Sequence, residues 1–375
     1  MKTNASFLHH LAASAALLLT AAIQSASAQT TATTDPVGFI TLSIPGGGSF
    51  ASPKVSLLSP TLTQPISWQG AITGIATSTI SILGVPTPVT TITVSGTPWT
   101  SGQFEGANGS HYVEIVTVSP NTHVTGSLAV VNATTTSTIR VIGNLTSPNV
   151  FAAIGDSIKV RKDMTIASLF GATNSAGLLA SDDPTTADEV LIYDGASQNS
   201  FFYYTGDAFG NPAGWYDAAF TILNGTAGNV PIGPHQGIVI KRKAPAALPF
   251  TTNGAVKTGD TLFPVVPGVN VLGTVSAKGL TLDTSALFTG DPATGVKPSD
   301  DPTTADEVLI YSNSQATSYF YYNGGAGYLS GWYDSGFSTL TPVGATVTIL
   351  PGSAFVLKRK FGAAFNWSLP SPTSF

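Results

Sequence analysis

From Val37 onward the chain alternates apolar residues with threonine and serine, the period-two signature of strands with one wet face. The run Gly38-Phe39-Ile40-Thr41-Leu42-Ser43-Ile44 sets the pattern, and further strands are predicted over 66–75, 79–83, 112–118, 127–131 and 138–142. A weak internal echo relates Gly70-Ala71-Ile72 with Ser78 to Ile82 to Gly126-Ser127-Leu128 with Ser137 to Val141. It predicts two equivalent hairpins in a small N-terminal β-barrel-like domain spanning 35–160.

A much stronger repeat follows. Ser181 to Tyr193 (Ser-Asp-Asp-Pro-Thr-Thr-Ala-Asp-Glu-Val-Leu-Ile-Tyr) recurs unchanged at Ser299 to Tyr311. Downstream, Phe202-Tyr203-Tyr204 matches Phe320-Tyr321-Tyr322, and Gly214-Trp215-Tyr216-Asp217 matches Gly331-Trp332-Tyr333-Asp334. Ile240-Lys241-Arg242-Lys243 matches Leu357-Lys358-Arg359-Lys360, and upstream Leu169-Phe170 matches Leu287-Phe288. A collinear match of this extent is a tandem duplication. Two copies are too few for an open solenoid, so they read as two globular antiparallel β-sandwich or barrel modules, over 161–253 and 264–375.

Composition supports an all-β chain. Only 9% of the 375 residues are charged, so the wet faces of long helices cannot be built, while β-branched residues abound. Between residues 29 and 150 the charged side chains are Asp35, Lys54, Glu105, Glu114 and Arg140 alone. Strand edges so thinly guarded call for barrel closure or burial in an assembly. The formal charge of −5 comes with no basic stripe, which argues against nucleic acid as a partner. The absence of cysteine removes thiol chemistry and disulfides.

Residues 1–28 read as a signal peptide. Lys2 gives the positive start, Leu11 to Ile23 a short apolar stretch, and Ser25-Ala26-Ser27-Ala28 a cleavage site. No second apolar run reaches spanning length, so no transmembrane segment is expected after cleavage. Export to the periplasm, cell surface or medium follows.

Enzyme motifs are missing. His111, His123 and His235 lie at no metal-ligand spacing, and there is neither a nucleophile elbow nor a Walker loop. Gly46-Gly47-Gly48 runs into Pro53 rather than into a phosphate-cradling helix. The alternative to a non-enzymatic protein is a polysaccharide-acting hydrolase whose paired carboxylates the sequence does not place.

Two features of the repeat are candidates for chemistry. Asp182, Asp183, Asp188 and Glu189, with Asp300, Asp301, Asp306 and Glu307, form dense acidic loops that could ligate calcium as a cofactor. The competing reading is a tight acidic turn, since the alternating order and central glycine of a calcium loop are lacking. Tyr203, Trp215, Tyr216, Tyr321, Trp332 and Tyr333 could present rings for sugar stacking, against the alternative that they fill cores. The Lys-Arg-Lys ends read as acidic-polysaccharide contacts or as solvated strand ends facing the acidic loop.

The start Thr34-Asp35-Pro36-Val37-Gly38-Phe39-Ile40 behind a leader resembles a family of paralogous, exported conserved-hypothetical proteins of verrucomicrobia and related bacteria. Ala187 to Tyr193, the Tyr-rich strand with Gly-Trp, and the close at Pro351 to Lys360 fit the same pattern. The resemblance implies export and carries over no catalytic or binding residue. The resulting expectation is a secreted or cell-envelope protein, structural or adhesive, binding polysaccharide through its aromatic modules or other envelope proteins.

Overall fold

The computed structural model describes residues 35–116, 126–146, 152–194, 197–208, 210–222, 224–325 and 327–370. The predicted signal peptide and His123 lie outside them. The chain is all-β, built from a closed barrel and two five-stranded antiparallel sheets, each accompanied by two two-stranded ribbons.

The barrel comprises β3 (Ile66–Ile82), β4 (Val85–Val94), β5 (His111–Val116), β6 (Leu128–Thr134), β7 (Thr138–Ile142) and β8 (Ser157–Lys162), closed in the order β3-β4-β7-β6-β5-β8. Inward residues of every strand, among them Ile72, Ile92, Val113, Val131, Ile139 and Val160, form one core that Trp99 and Phe104 complete. Closure hides strand edges that so few charges could not guard.

The echo between 70–82 and 126–141 does not give equivalent hairpins. Ile66–Ile82 is one continuous strand, whereas its counterpart breaks into β6 and β7. The reason lies in the turn chemistry. Thr135 and Thr138 hydroxyls bond to each other at 2.7 Å and Thr135 accepts backbone N–H groups from Ser137 and Thr138, closing a turn there. Ala76-Thr77-Ser78 supplies no such closure, and the first turn-former is Gly84.

The first two strands of the expected barrel domain belong elsewhere. β1 (Val37–Ile44) pairs along its whole length with β15 (Leu248–Ala255), and β2 (Lys54–Leu58) with β14 (Ile238–Arg242). The first module therefore starts at the N-terminal strands, and the barrel is inserted between Leu58 and β9 (Met164–Thr165). Its sheet runs β12 (Gly214–Asp217), β11 (Ser197–Tyr204), β10 (Glu189–Asp194), β14, β2. Helix α1 (Ile166–Phe170), capped reciprocally by Thr165 and Ser168, and β9 paired with β13 (Pro231–Ile232) close its core.

The second module repeats this without the insertion. β16 (Thr261–Val265) pairs with β24 (Phe365–Leu369), and the sheet runs β17 (Gly268–Leu272), β23 (Phe355–Arg359), β19 (Glu307–Ser312), β20 (Gln315–Tyr322), β21 (Gly331–Asp334). Where copy one carries the barrel, copy two has only residues 273–279 before β18 (Leu280–Thr281), which pairs with β22 (Thr348–Ile349).

The two sheets pack face to face about a pseudo-twofold axis. Val190 and Ile192 point into the core of their own module, while Leu191 and Tyr193 point the other way, joining Leu57, Val239, Val271, Leu309, Tyr311 and Val356 in a shared cluster. The backbone contacts obey the same symmetry. Gly237 N–H donates to the Val271 carbonyl at 2.9 Å and Ala354 N–H to Leu57 at 3.2 Å; Gly273 donates to His235 at 3.0 Å and Ser59 to Gly352 at 2.8 Å. The duplicated modules thus meet like the halves of an isologous dimer fused in one chain.

At this axis Gly237 faces Ala354, and a Cβ on Gly237 would lie 2.7 Å from the Ala354 Cβ and 2.8 Å from a Val271 methyl. Gly237→Val is expected to destabilise the protein by about 1–3 kcal/mol through overpacking, measured as a lower urea midpoint. An unchanged midpoint would show that the sheets do not approach this closely in solution.

Candidate functional site

The acidic segment and the Lys-Arg-Lys end of each module meet. β10 pairs antiparallel with β14, with Glu189 opposite Lys241. Asp188 accepts from the Arg242 guanidinium, from the Lys243 N–H at 2.6 Å and from the Leu179 N–H at 2.7 Å. Asp306 repeats this with Arg359 at 2.6 Å, Lys360 N–H at 2.8 Å and Lys297 N–H at 2.8 Å. These aspartates and arginines are buried, and each guanidinium also donates to loop carbonyls, Ala246 in copy one and Pro292 and Gly295 in copy two.

One residue along, alternation turns the side chains outward. Glu189 meets Lys243 at 2.7 Å and Lys241 at 3.5 Å; Glu307 meets Lys360 at 2.7 Å and Lys358 at 3.2 Å. Burial works against the charge on both glutamates, but the lysines outweigh it and hold each carboxyl below its ordinary value. The basic strand ends are therefore internal counter-ions.

The acidic loops disperse their carboxylates. Asp183 accepts the Thr185 N–H at 2.7 Å and Asp301 the Thr303 N–H at 2.8 Å, the turn-capping geometry that also keeps both carboxyls below their ordinary range. Asp182 and Asp300 accept from the preceding serines, Ser181 and Ser299, at 3.3 Å. The four carboxylates of each loop thus have separate partners, and among the described residues no three His, Asp or Glu side chains converge.

The aromatic strand is covered on both faces. Phe201, Tyr203 and Trp215 join the main core of copy one, and the Trp215 indole N–H donates to Gly171 O at 2.8 Å. On the other face Phe202 and Tyr204 pack edge to face with Phe220, and Tyr216 lies tilted against it, over Ala187. Copy two repeats both layers, with Tyr321 stacked on Phe288 at 3.4 Å between centroids. Trp215, Tyr216, Trp332 and Tyr333 are buried, and Tyr203 and Tyr321 keep partial exposure. The open row of rings expected for sugar stacking is filled instead by the acidic loop's Ala187 or Ala305 and by Phe220 or Phe337.

The carboxylates open to a hydrolase also have partners. Glu105 accepts the Thr134 N–H at 2.6 Å. Glu114 lies buried where the barrel meets the first module, 2.8 Å from Lys257 and 3.4 Å from Arg161, and Arg161 also pairs with Asp35. Beside this joint Asp163 has a hydroxyl partner, Ser110 at 2.6 Å, and burial lifts its carboxyl to about 6 against that hydrogen bond.

Two pseudo-equivalent pockets flank the module interface, unforeseen from the sequence. The first, about 150 Å³, is lined by Tyr193, His235, Pro264, Val266 and Leu272; the second, about 130 Å³, by Tyr311, Ser353, Ser43, Pro45 and Leu58. Tyr193 and Tyr311 end the unchanged repeat, the one signal that pointed here. In the first pocket the polar groups are already paired. Tyr193 donates to Gln198 at 2.8 Å, Gln236 bridges Tyr193 O and Gly233 N–H, and Asn270 grips both backbone groups of Val266.

Asp188→Asn and Arg242→Met should each cost about 3–5 kcal/mol, because each strands a buried partner, while the double variant should recover much of the loss. Urea unfolding of the three variants decides it; single losses below about 1 kcal/mol would mean the pair is solvated. Because folding raises the Asp163 value from 3.8 to about 6, that group's favourable contribution is complete below pH 3.8 and is lost as pH rises through about 6. Asp163→Asn should therefore gain on the parent by up to about 3 kcal/mol at neutral pH and lose that gain at pH 4, followed by thermal melts across the range. A pH-independent difference would contradict the assignment.

No protein-family model, no curated protein and no solved structure matches this chain.

Proposed function

We propose that the protein is an exported, non-enzymatic structural or adhesive component of the cell envelope, with the fused modules as a rigid base and the barrel as the part held out from it. The observation that carries this reading is the inward use of the repeat's chemistry. The acidic strand and the Lys-Arg-Lys end neutralise each other, and the aromatic strands are packed on both faces. What the surface then presents is mostly hydroxyl-bearing strand and uncharged apolar side chains, suited to contact with neutral polymer or protein. The leader-like residues 1–28 support export, and the resemblance noted for the mature start agrees with it.

The test is co-sedimentation of the purified protein with isolated cell-envelope fragments, alongside migration through gels containing neutral and acidic polysaccharides. Envelope binding is expected to be insensitive to chelator and unchanged in Tyr203→Ala/Tyr321→Ala. Release of reducing ends from any of the polysaccharides would overturn the reading in favour of the hydrolase.

A further inference from the structure

Barrel closure covers most of the long strands β3 and β4, but not their far ends. β3 pairs with β8 over Ile66–Ala71, and Ile72 continues the seam, its N–H donating to Asp156 O at 2.7 Å and its carbonyl accepting from Gly155. β4 pairs with β7 over Val89–Thr93, and Pro88 O accepts the Gly143 N–H at 2.8 Å. Past these points the two strands pair with each other out to the turn between Ile82 and Val85, forming an arm that outruns the barrel.

Alternation fixes which backbone groups of the arm face outward. Ile82 and Val85 flank a two-residue turn and bond to each other, so every second residue from there turns its N–H and C=O away from the facing strand. On β4 these residues are Pro86 and Pro88, and proline has no N–H to offer, so that edge is closed. On β3 they are Ser81, Thr79, Thr77 and Ile75, and among the described residues no strand pairs with them on that side. Residues 76–79 and Ser81 are exposed. Beyond Gly74 this edge has no lysine, no proline and no bulge, the devices that keep natural edges from pairing.

An open row of backbone donors and acceptors is matched by another strand, which sets the class of partner. Three observations single out the same strand of a second copy. No charged residue lies between Lys54 and Glu105, so two copies of this edge meet without like-charge repulsion. Set antiparallel about a twofold axis at Thr79, the segment also complements itself. Thr79 then faces its own counterpart and Thr77 faces Ser81, a ladder of hydroxyls on one side of the sheet. On the other side Ile82 meets Ala76, Ile80 meets Ser78, and the two copies of Ile80 touch diagonally. Lastly, pairing through β3 leaves β4 at both outer edges of the joined sheet, where Pro86 and Pro88 bar a further strand. Growth stops at two copies.

We propose that two copies of the protein join through β3, edge to edge and antiparallel about Thr79, as a closed isologous dimer. The contact goes beyond the envelope role proposed above and does not depend on it, since it is read by self-association alone.

The experiment is sedimentation velocity of the mature chain over a concentration series, for the parent, Thr79→Lys and Thr79→Glu. Thr79 is exposed and its side chain takes no part in the β3–β4 ladder, so both variants should melt with the parent. The parent is expected to pass from monomer to dimer with rising concentration and to stop there. Each variant sets like charges opposite each other at the axis and should weaken the dimer about tenfold or more. An equimolar mixture of the two sets opposite charges there and should dimerise at least as readily as the parent. A parent that stays monomeric overturns the proposal, and so does one that grows past the dimer. Either variant dimerising like the parent overturns it too, as does a mixture no tighter than its components, because the axis then lies elsewhere than Thr79.

Discussion

Each five-stranded sheet is apolar on both faces, and that constraint organises the molecule. The run Val190-Leu191-Ile192-Tyr193 leaves no wet side. Val190 and Ile192 fill the module's own core, and Leu191 and Tyr193 need a second cover. A continuous apolar run marks a strand buried on both faces. The duplication meets the need with an identical partner, since a self-complementary face is covered by its own copy. This accounts for the perfect repetition of Ser181–Tyr193. In thirteen positions it holds the capped turn, the alanine under the aromatic cluster, both carboxylates of the ion pairs and the residues of the shared interface, so a change must satisfy two cores at once.

Charge is scarce in this chain and is placed against intuition. Asp188, Arg242, Asp306, Arg359, Glu114, Arg161 and Lys257 are all buried, whereas many surface strands carry only hydroxyls. Pairs like these contribute little net stability relative to apolar residues of the same size, because desolvation offsets attraction. Their effect is on register. Glu189 opposite Lys241 places Asp188 level with the Arg242–Lys243 end, and a one-residue slip of β14 would leave carboxylates facing apolar side chains. In a chain of similar threonine-rich strands, such pairs distinguish the right pairing from its neighbours.

The fold class was legible because alternation and β-branched composition survive in any single sequence. Module boundaries were less so, because strand partners hundreds of positions apart leave no local mark. Nothing in Gly38–Ile44 says that it pairs with 248–255 rather than with the barrel strands that follow it. The site was half legible. The acidic turn and the Lys-Arg-Lys end were visible as candidates, and their mutual pairing was one of the readings weighed. The aromatics were open to either reading, since Phe-Phe-Tyr-Tyr announces two apolar faces without saying whether solvent or a second layer covers the outer one. Here Phe220 and Phe337, held at positive φ in loops, provide that layer. The pockets were invisible because they exist only between copies.

The insertion of a whole barrel into one copy would at first be thought to burden it, since β2 and β14 are now separated by roughly twice the span that separates β17 from β23. For a flexible loop a doubling costs only about 0.6 kcal/mol. The barrel does better, because its first and last strands are neighbours: Ile66 lies opposite Arg161. Closing the barrel returns the chain beside its point of departure, so the module is left to close no more than the short links on either side. That return point is where Arg161 meets Asp35 and Glu114, and where Lys257 follows the end of β15. One buried ionic cluster thus ties the entry strand, the barrel's closing seam and the exit of the first module. Three of the barrel's few charges, Glu114, Lys159 and Arg161, are gathered at the place where three segments must coincide. The asymmetry between the copies is therefore tolerated by geometry, and it leaves the pseudo-twofold interface, the element both copies share, undisturbed.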